Sequence, residues 1–225
     1  MNIIEKALGD GRLALSEYEA KQVLSAYGIP VTREVLVEKE ADLTDALRQV
    51  GYPVVMKGCA AAIAHKTEKG LIHVDVRSEA EARQAFSTLR EALAETGGAV
   101  LVQAFIRGQR ELVVGMTRDP QFGPCVMFGL GGIFTEILRD VSFRKAPLER
   151  ADALEMMQEI KGHKILGALR GMPAVDLEAM TEILIRVGRI GLENDRVKEI
   201  DINPLIIAQG KPIAVDALIV LEPAP

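Results

Sequence analysis

Glu199, Asp201 and Asn203 alternate with Ile200 and Ile202 just ahead of Pro204. On a β-strand that spacing sets three oxygen-bearing side chains on one face and two isoleucines on the other. Downstream, Gln209-Gly210 reads as a hairpin turn. If position 208 faces 211, the same register sets Asn203 opposite Asp216, the only acid between residues 202 and 221. Directly opposed side chains lie about 5 Å apart at Cβ, a separation that lets an Asn oxygen and an Asp carboxylate share one hard cation. Mg²⁺ takes a few protein oxygens and completes its shell with waters and phosphates. Asp201, Asn203 and Asp216 are therefore candidate Mg²⁺ ligands. The competing reading is a solvated strand whose acids face water. Against it stands the apolar run Ile213 to Val220, broken only by Asp216, because a lone buried carboxylate is costly unless paired or metal-bound.

Lys57 closes the apolar run Val54-Val55-Met56 and precedes Gly58. From there its ammonium can meet a phosphate as a point charge; the alternative is an edge lysine that snorkels to water. Residues 58–70 form a Gly- and Ala-rich loop whose backbone can approach a ligand closely. Within it His65-Lys66-Thr67 supplies an imidazole, a cation and a hydroxyl, and a histidine can carry a phosphoryl group covalently. Gly129-Leu130-Gly131-Gly132 is either an anion nest of backbone N–H groups or a tight turn. The chain has no G-x-x-x-x-G-K-[ST] motif, so it is not a P-loop protein. His73 and His163 receive no role, and the histidines and cysteines lack zinc-ligand spacing.

Helices and strands must position these groups. A capping box at Ser16 and Glu19 opens a helix bearing Ala20, Val23 and Leu24. Strands are expected at 34–37, 54–57, 71–76, 99–106, 111–116 and 124–128. Further helices carry Leu43, Ala46, Leu47 and Val50, then Ala82, Ala85, Phe86 and Leu89 behind Ser78 and Glu81, then residues 149–159 and 176–194. The chain closes with strands at 198–202 and 212–220. Adjacent strands accumulate in the second half, which predicts α+β lobes rather than a doubly wound sheet. The one plausible lobe boundary lies near residues 103–108.

With 225 residues, 48% hydrophobic and 26% charged, the chain can bury a core, and that core must be aliphatic because Trp is absent. A net charge of −5 disfavours broad nucleic-acid binding. Cys59 and Cys125 are too few for a disulfide framework and fit a reduced, cytoplasmic compartment. No apolar run has membrane-spanning length, so no membrane partner is expected.

Taken in order, the segments Glu17-Tyr18-Glu19-Ala20-Lys21, Gly51 to Lys57, His65-Lys66-Thr67, Asp119 to Pro124, Met127 to Phe134, Asp140 to Arg144 and Glu199 to Leu205 resemble the ATP-grasp domain of ADP-forming acetyl-CoA synthetases, relatives of succinyl-CoA synthetase β subunits. The likeness runs from about Leu15 to Leu221. It implies an ATP-grasp fold, two α+β lobes with the nucleotide between them: an N-terminal lobe at 15–103 containing the loop 58–70, and a C-terminal lobe at 104–222 containing the Mg²⁺ hairpin. It implies that Lys57 contacts phosphate, that backbone from Gln103 to Ile106 reads adenine, and that Glu111 binds ribose. Asn203 and Asp216 would hold Mg²⁺, Arg144 would lie near the phosphates together with Lys66, and the Gly131-Gly132 turn would face the transferred phosphate or a partner. His65 matches a histidine that relays the phosphoryl group. Three positions depart from the family pattern: Ala61-Ala62, Lys69-Gly70 and Gln103-Ala104.

The expected activity is reversible phosphoryl transfer between ATP or ADP and the histidine relay, coupled to acyl-CoA formation. No CoA-binding dinucleotide-type motif is present, so an α-type CoA-binding subunit is expected in a hetero-oligomer. Two rivals remain: an ATP-grasp carboxylate ligase working through an acyl phosphate without the relay, and a non-catalytic nucleotide-sensing module.

Overall fold

The computed structural model describes residues 3–60, 70–94, 97–132 and 140–223. His65 and Lys66 lie outside the described residues, as do the rest of 61–69 and the pair Ile133-Phe134. The chain divides into two compact units.

The smaller unit comprises residues 16–18 and 32–106. Its antiparallel sheet has the order β1–β4–β2–β3, with β1 Glu34–Val37, β2 Val54–Cys59, β3 Ile72–Val76 and β4 Ala99–Ala104. Helices α3 (Leu43–Val50) and α4 (Glu79–Ala92) supply the rest of its core: Leu43, Ala46, Leu47 and Val50 from one, Ala82, Ala85, Phe86 and Leu89 from the other, packed on Val54, Met56, Val100 and Val102. The 3.6-residue spacing of those apolar positions made both helices legible. Ser78 caps α4 by accepting from the Glu81 N–H at 3.3 Å. The Glu81 carboxylate reaches back to the Arg77 N–H at 2.8 Å, one residue before the cap.

The larger unit takes residues 1–15, 19–31 and 107–225. Its sheet runs β10–β8–β5–β6–β7, with β9 also on β8: β5 Glu111–Asp119, β6 Gly123–Leu130, β7 Val141–Lys145, β8 Val197–Ala208, β9 Lys211–Ala214 and β10 Leu218–Leu221. All pairings are antiparallel, which explains the absence of a doubly wound pattern. Helices α5 (Arg150–Glu159) and α6 (Leu177–Glu193) pack their apolar stripes, among them Met156, Met157, Met180, Ile183, Leu184 and Val187, into a core with Val114, Val126, Phe128, Ile200 and Ile202. Arg118 on β5 closes the end of α6 by donating to the carbonyls of Gly191 and Asn194 at 2.6 and 3.0 Å.

The units are not the two consecutive stretches expected. The division after Ile106 falls near the expected boundary, but α1 (Ile3–Gly9) and most of α2 (Glu17–Ala26) belong to the larger unit. Ile4, Ala7, Leu15, Val23, Leu24 and Ile29 are buried in its core, and the Leu15 N–H donates to Ile219 at 3.0 Å. Local periodicity identifies a helix but not the sheet that will cover its apolar face. α1 and β7 had no strong periodic signal. The strand expected at 212–220 is broken in two, β9 and β10, by Val215-Asp216-Ala217.

Candidate functional site

The register of the hairpin is the one the turn implied. Ala208 faces Lys211, Ile207 faces Pro212 and Leu205 faces Ala214; beyond the break Leu218 faces Asp201 and Ile219 faces Ile200. Every pair has the same index sum as Asn203 with Asp216. Those two residues therefore face each other by register, at the place where the ladder is interrupted. The Val215 N–H still donates to the Pro204 carbonyl at 3.1 Å.

Ile200 and Ile202 are buried in the core, so Glu199, Asp201 and Asn203 rise from the opposite face of β8. Across the sheet Asp201 pairs with Gly115, Gly115 with Met127, and Met127 with Phe143. This row floors a cleft of about 240 Å³ lined also by Val113, Thr117, Glu199 and Asn203. Burial, then the charges of Glu199 and Asp216, push the Asp201 carboxyl up to about 6. A carboxyl raised by burial and by neighbouring charges of the same sign is one that a divalent cation relieves. Among the described residues no group of three or more His, Cys, Asp or Glu side chains could hold a metal. A divalent cation there would need oxygens beyond these carboxylates, such as those of Asn203 and of a bound ligand.

The sign of the pH dependence follows. In the metal-free protein Asp201 binds its proton more tightly folded than unfolded. Its protonation favours the fold fully below about pH 4, and that contribution is lost as pH rises through about 6. The cation needs the deprotonated form. Mg²⁺-dependent nucleotide binding, titrated by calorimetry, should therefore weaken about tenfold for each pH unit below 6. A flat profile between pH 5 and 7.5 removes Asp201 from the site.

Glu111 opens β5 and is exposed. The Gly131 N–H donates to its carbonyl at 2.8 Å. A Cβ on Gly131 would stand 2.7 Å from the Leu112 carbonyl oxygen. One on Gly132, at φ +63°, would stand 2.5 Å from Glu111 Oε2. The two glycines thus let the turn lie against Glu111. Of the two readings of this segment the tight turn holds at Gly131, whose N–H is engaged within the fold and not offered to an anion.

Arg144 does not join the cleft. It follows Phe143 on β7, so its side chain leaves from the opposite face, and it pairs in register with the buried Val126. There its guanidinium forks onto both carboxylate oxygens of Glu159 on α5, with Nη1 at 3.0 Å from Oε2. Strand alternation turns Arg144 toward the helix layer, away from the cleft where a phosphate contact was expected of it, and an acidic partner holds it there. Thr117 and Phe143 were not singled out from the sequence. Only the cross-strand register brings them to the carboxylates.

In the smaller unit Lys57 lies on β2, between β4 and β3, facing Leu101 and Ile72. It is not an edge lysine. Its side chain is 5% exposed and its ammonium is 2.8 Å from the Glu17 carboxylate, a buried cation held by a buried anion. Gln103 on β4 is fully buried between Glu34 and Val55. The N–H groups of Ala104 and Phe105 donate to Arg33 and Pro53 at 2.9 and 3.1 Å. Of the expected adenine-reading segment, Ile106 is half-buried and is the last residue of this unit.

The ATP-grasp domain family matches residues 6–221. The chain is 45% identical to "Acetate--CoA ligase [ADP-forming] I subunit beta" of Pyrococcus furiosus, over 97% of this chain and 96% of that one. Among solved structures, the dinucleotide forming acetyl-coenzyme A synthetase 1 of Ca. Korarchaeum cryptofilum, in complex with coenzyme A and Ca-AMPCP, superposes with a TM-score of 0.93 at 44% identity, covering 98% of both chains. Another structure of that enzyme, with coenzyme A, Mg-AMPPCP and its phosphohistidine segment pointing towards the nucleotide binding site, gives a TM-score of 0.87 at 45% identity, again over 98% of both chains.

Proposed function

This chain belongs to the ATP-grasp family, and we propose that it is the nucleotide-handling β subunit of an ADP-forming acyl-CoA ligase. The observation that carries the reading is the hairpin: a register that sets Asn203 against Asp216 beside the raised carboxyl of Asp201. A bound Mg²⁺ would supply positive charge that offsets charge developing on the nucleotide phosphates. Asp201, Asn203 and Asp216 would hold it. Glu111, exposed at the start of β5, is free in direction to accept from ribose hydroxyls. Gly115 keeps the floor of the cleft low beside Asp201, and Met127 and Phe143 give that floor an apolar surface. Lys57, poised on Glu17, exchanges that carboxylate for a phosphate oxygen of similar charge. His65 takes the phosphoryl group from a phosphohistidine of the partner, its P–N bond forming as the partner's P–N bond breaks, and passes it to a terminal phosphate oxygen of ADP, that P–N bond breaking as the new P–O bond forms; Lys66, the next residue in sequence, supplies a cation.

The acyl chemistry and the CoA site are assigned to an α-type subunit. Among the described residues no helix is long and apolar enough to cross a membrane, and nothing in the reading calls for one. The test is reconstitution. The chain alone should bind Mg²⁺–ADP yet form no ATP from acyl-CoA, ADP and phosphate; adding the subunit that co-purifies with it from the native source should restore ATP formation. Acyl-CoA-dependent ATP formation by the isolated chain, or none with the partner, rejects the assignment.

A further inference from the structure

Lys21 is 1% exposed, on the buried face of α2 among Ala20, Val23 and Leu24. A fully buried lysine needs a partner that repays its lost hydration. Its ammonium donates to the Val215 carbonyl at 3.2 Å. That carbonyl is special in the ladder. Val215 and Pro204 form a hydrogen-bonded pair, with the Val215 N–H on the Pro204 oxygen, so the return bond would have to come from the Pro204 nitrogen. Proline has no N–H to give. Lys21 donates where the strand cannot, and it does so one residue before Asp216, at the break between β9 and β10.

We propose that Lys21 is a positioning residue for the divalent-cation site: it anchors the strand break at Val215 and so sets where Asp216 presents its carboxylate. The proposal rests on the reading of Asp216 as a Mg²⁺ ligand. Asp216 also accepts from the Ala217 N–H at 2.8 Å, so backbone on both sides of its Cα is restrained. Groups that restrain a metal ligand without touching the metal change affinity about 10- to 100-fold when removed.

The experiment compares the full chain with Lys21→Met, which keeps the stem and removes the donor, and Lys21→Gln, which restores a neutral donor. Mg²⁺ is titrated against ADP binding, ADP binding without Mg²⁺ is measured alongside, and circular dichroism reports the fold. The Mg²⁺ concentration for half-maximal binding should rise at least about tenfold in Lys21→Met, with metal-free ADP binding unchanged and partial recovery in Lys21→Gln. A purely structural role would lower the melting temperature and leave the Mg²⁺ dependence alone. A folded Lys21→Met with Mg²⁺ dependence within twofold of the parent overturns the proposal. Should Lys21→Met not fold, Lys21→Gln decides: a Mg²⁺ dependence still short of the parent supports the anchoring role, and full parental dependence rejects it. Asp216→Asn separates the two levels. If it shifts the Mg²⁺ dependence and the Lys21 variants do not, only the positioning role falls; if it shifts nothing, the metal-site reading falls and this proposal with it.

Discussion

Asp216→Asn should weaken Mg²⁺–ADP binding by roughly 10- to 100-fold while leaving metal-free ADP binding nearly intact. The replacement keeps an oxygen but removes the charge. A charge-assisted contact contributes about 1.5–3 kcal/mol, and each 1.4 kcal/mol or so is tenfold in affinity. Calorimetric titration with and without Mg²⁺ measures both affinities. A second readout is independent of nucleotide. Asp216 is one of the charges that raise Asp201, so in the metal-free Asp216→Asn protein the Asp201 carboxyl should titrate below its present value of about 6, followed by carbon-detected NMR. Unchanged Mg²⁺–ADP affinity, or an Asp201 titration that does not move, removes Asp216 from the carboxylate group and takes the hairpin site with it.

His65→Ala should abolish turnover in the reconstituted enzyme, by about 10³-fold or more, with Mg²⁺–ADP binding preserved. The size of the effect follows from the role. A group that only steadies a phosphate loses modest binding when truncated, whereas a covalent carrier leaves no route for the transferred group. The accompanying chemical test uses labelled phosphate. The parent chain, mixed with its partner and acyl-CoA, should hold an acid-labile, base-stable phosphoryl label, and the variant should hold none. Full activity in His65→Ala would favour an acyl phosphate passing directly to the nucleotide.

Much of the site could be read from sequence because its logic is local. The alternation of Glu199, Asp201 and Asn203 with isoleucines assigns faces without any tertiary information, and a two-residue turn at Gln209-Gly210 transmits register by simple counting. The observed pairs on both sides of the break follow that count from Ala208–Lys211 as far as Glu199–Val220. The helices at 43–50, 79–92 and 177–193 were likewise carried by runs of apolar residues long enough to define a face.

Arg144 shows where local logic stopped. Its neighbours resemble a phosphate-handling segment, but β7 had no turn to count from, so its face was open until pairing with β6 set Phe143 toward the cleft and Arg144 toward Glu159. Lys57 shows the same limit in another form. An apolar run ending in lysine identifies a strand, but only the sheet order makes β2 an inner strand and brings Glu17, forty positions earlier, to its ammonium.

The residue order by itself determined the α+β class, the faces of β8 and the hairpin register, because backbone alternation and turn length are properties of neighbouring residues. The tertiary structure alone decided that the first thirty residues divide between two units, that the strand after Gly210 breaks at Asp216, and that Lys21 supplies the hydrogen bond Pro204 cannot. Those outcomes depend on which distant surfaces meet. A buried charge or an unmatched carbonyl finds its partner only when the fold has closed around it.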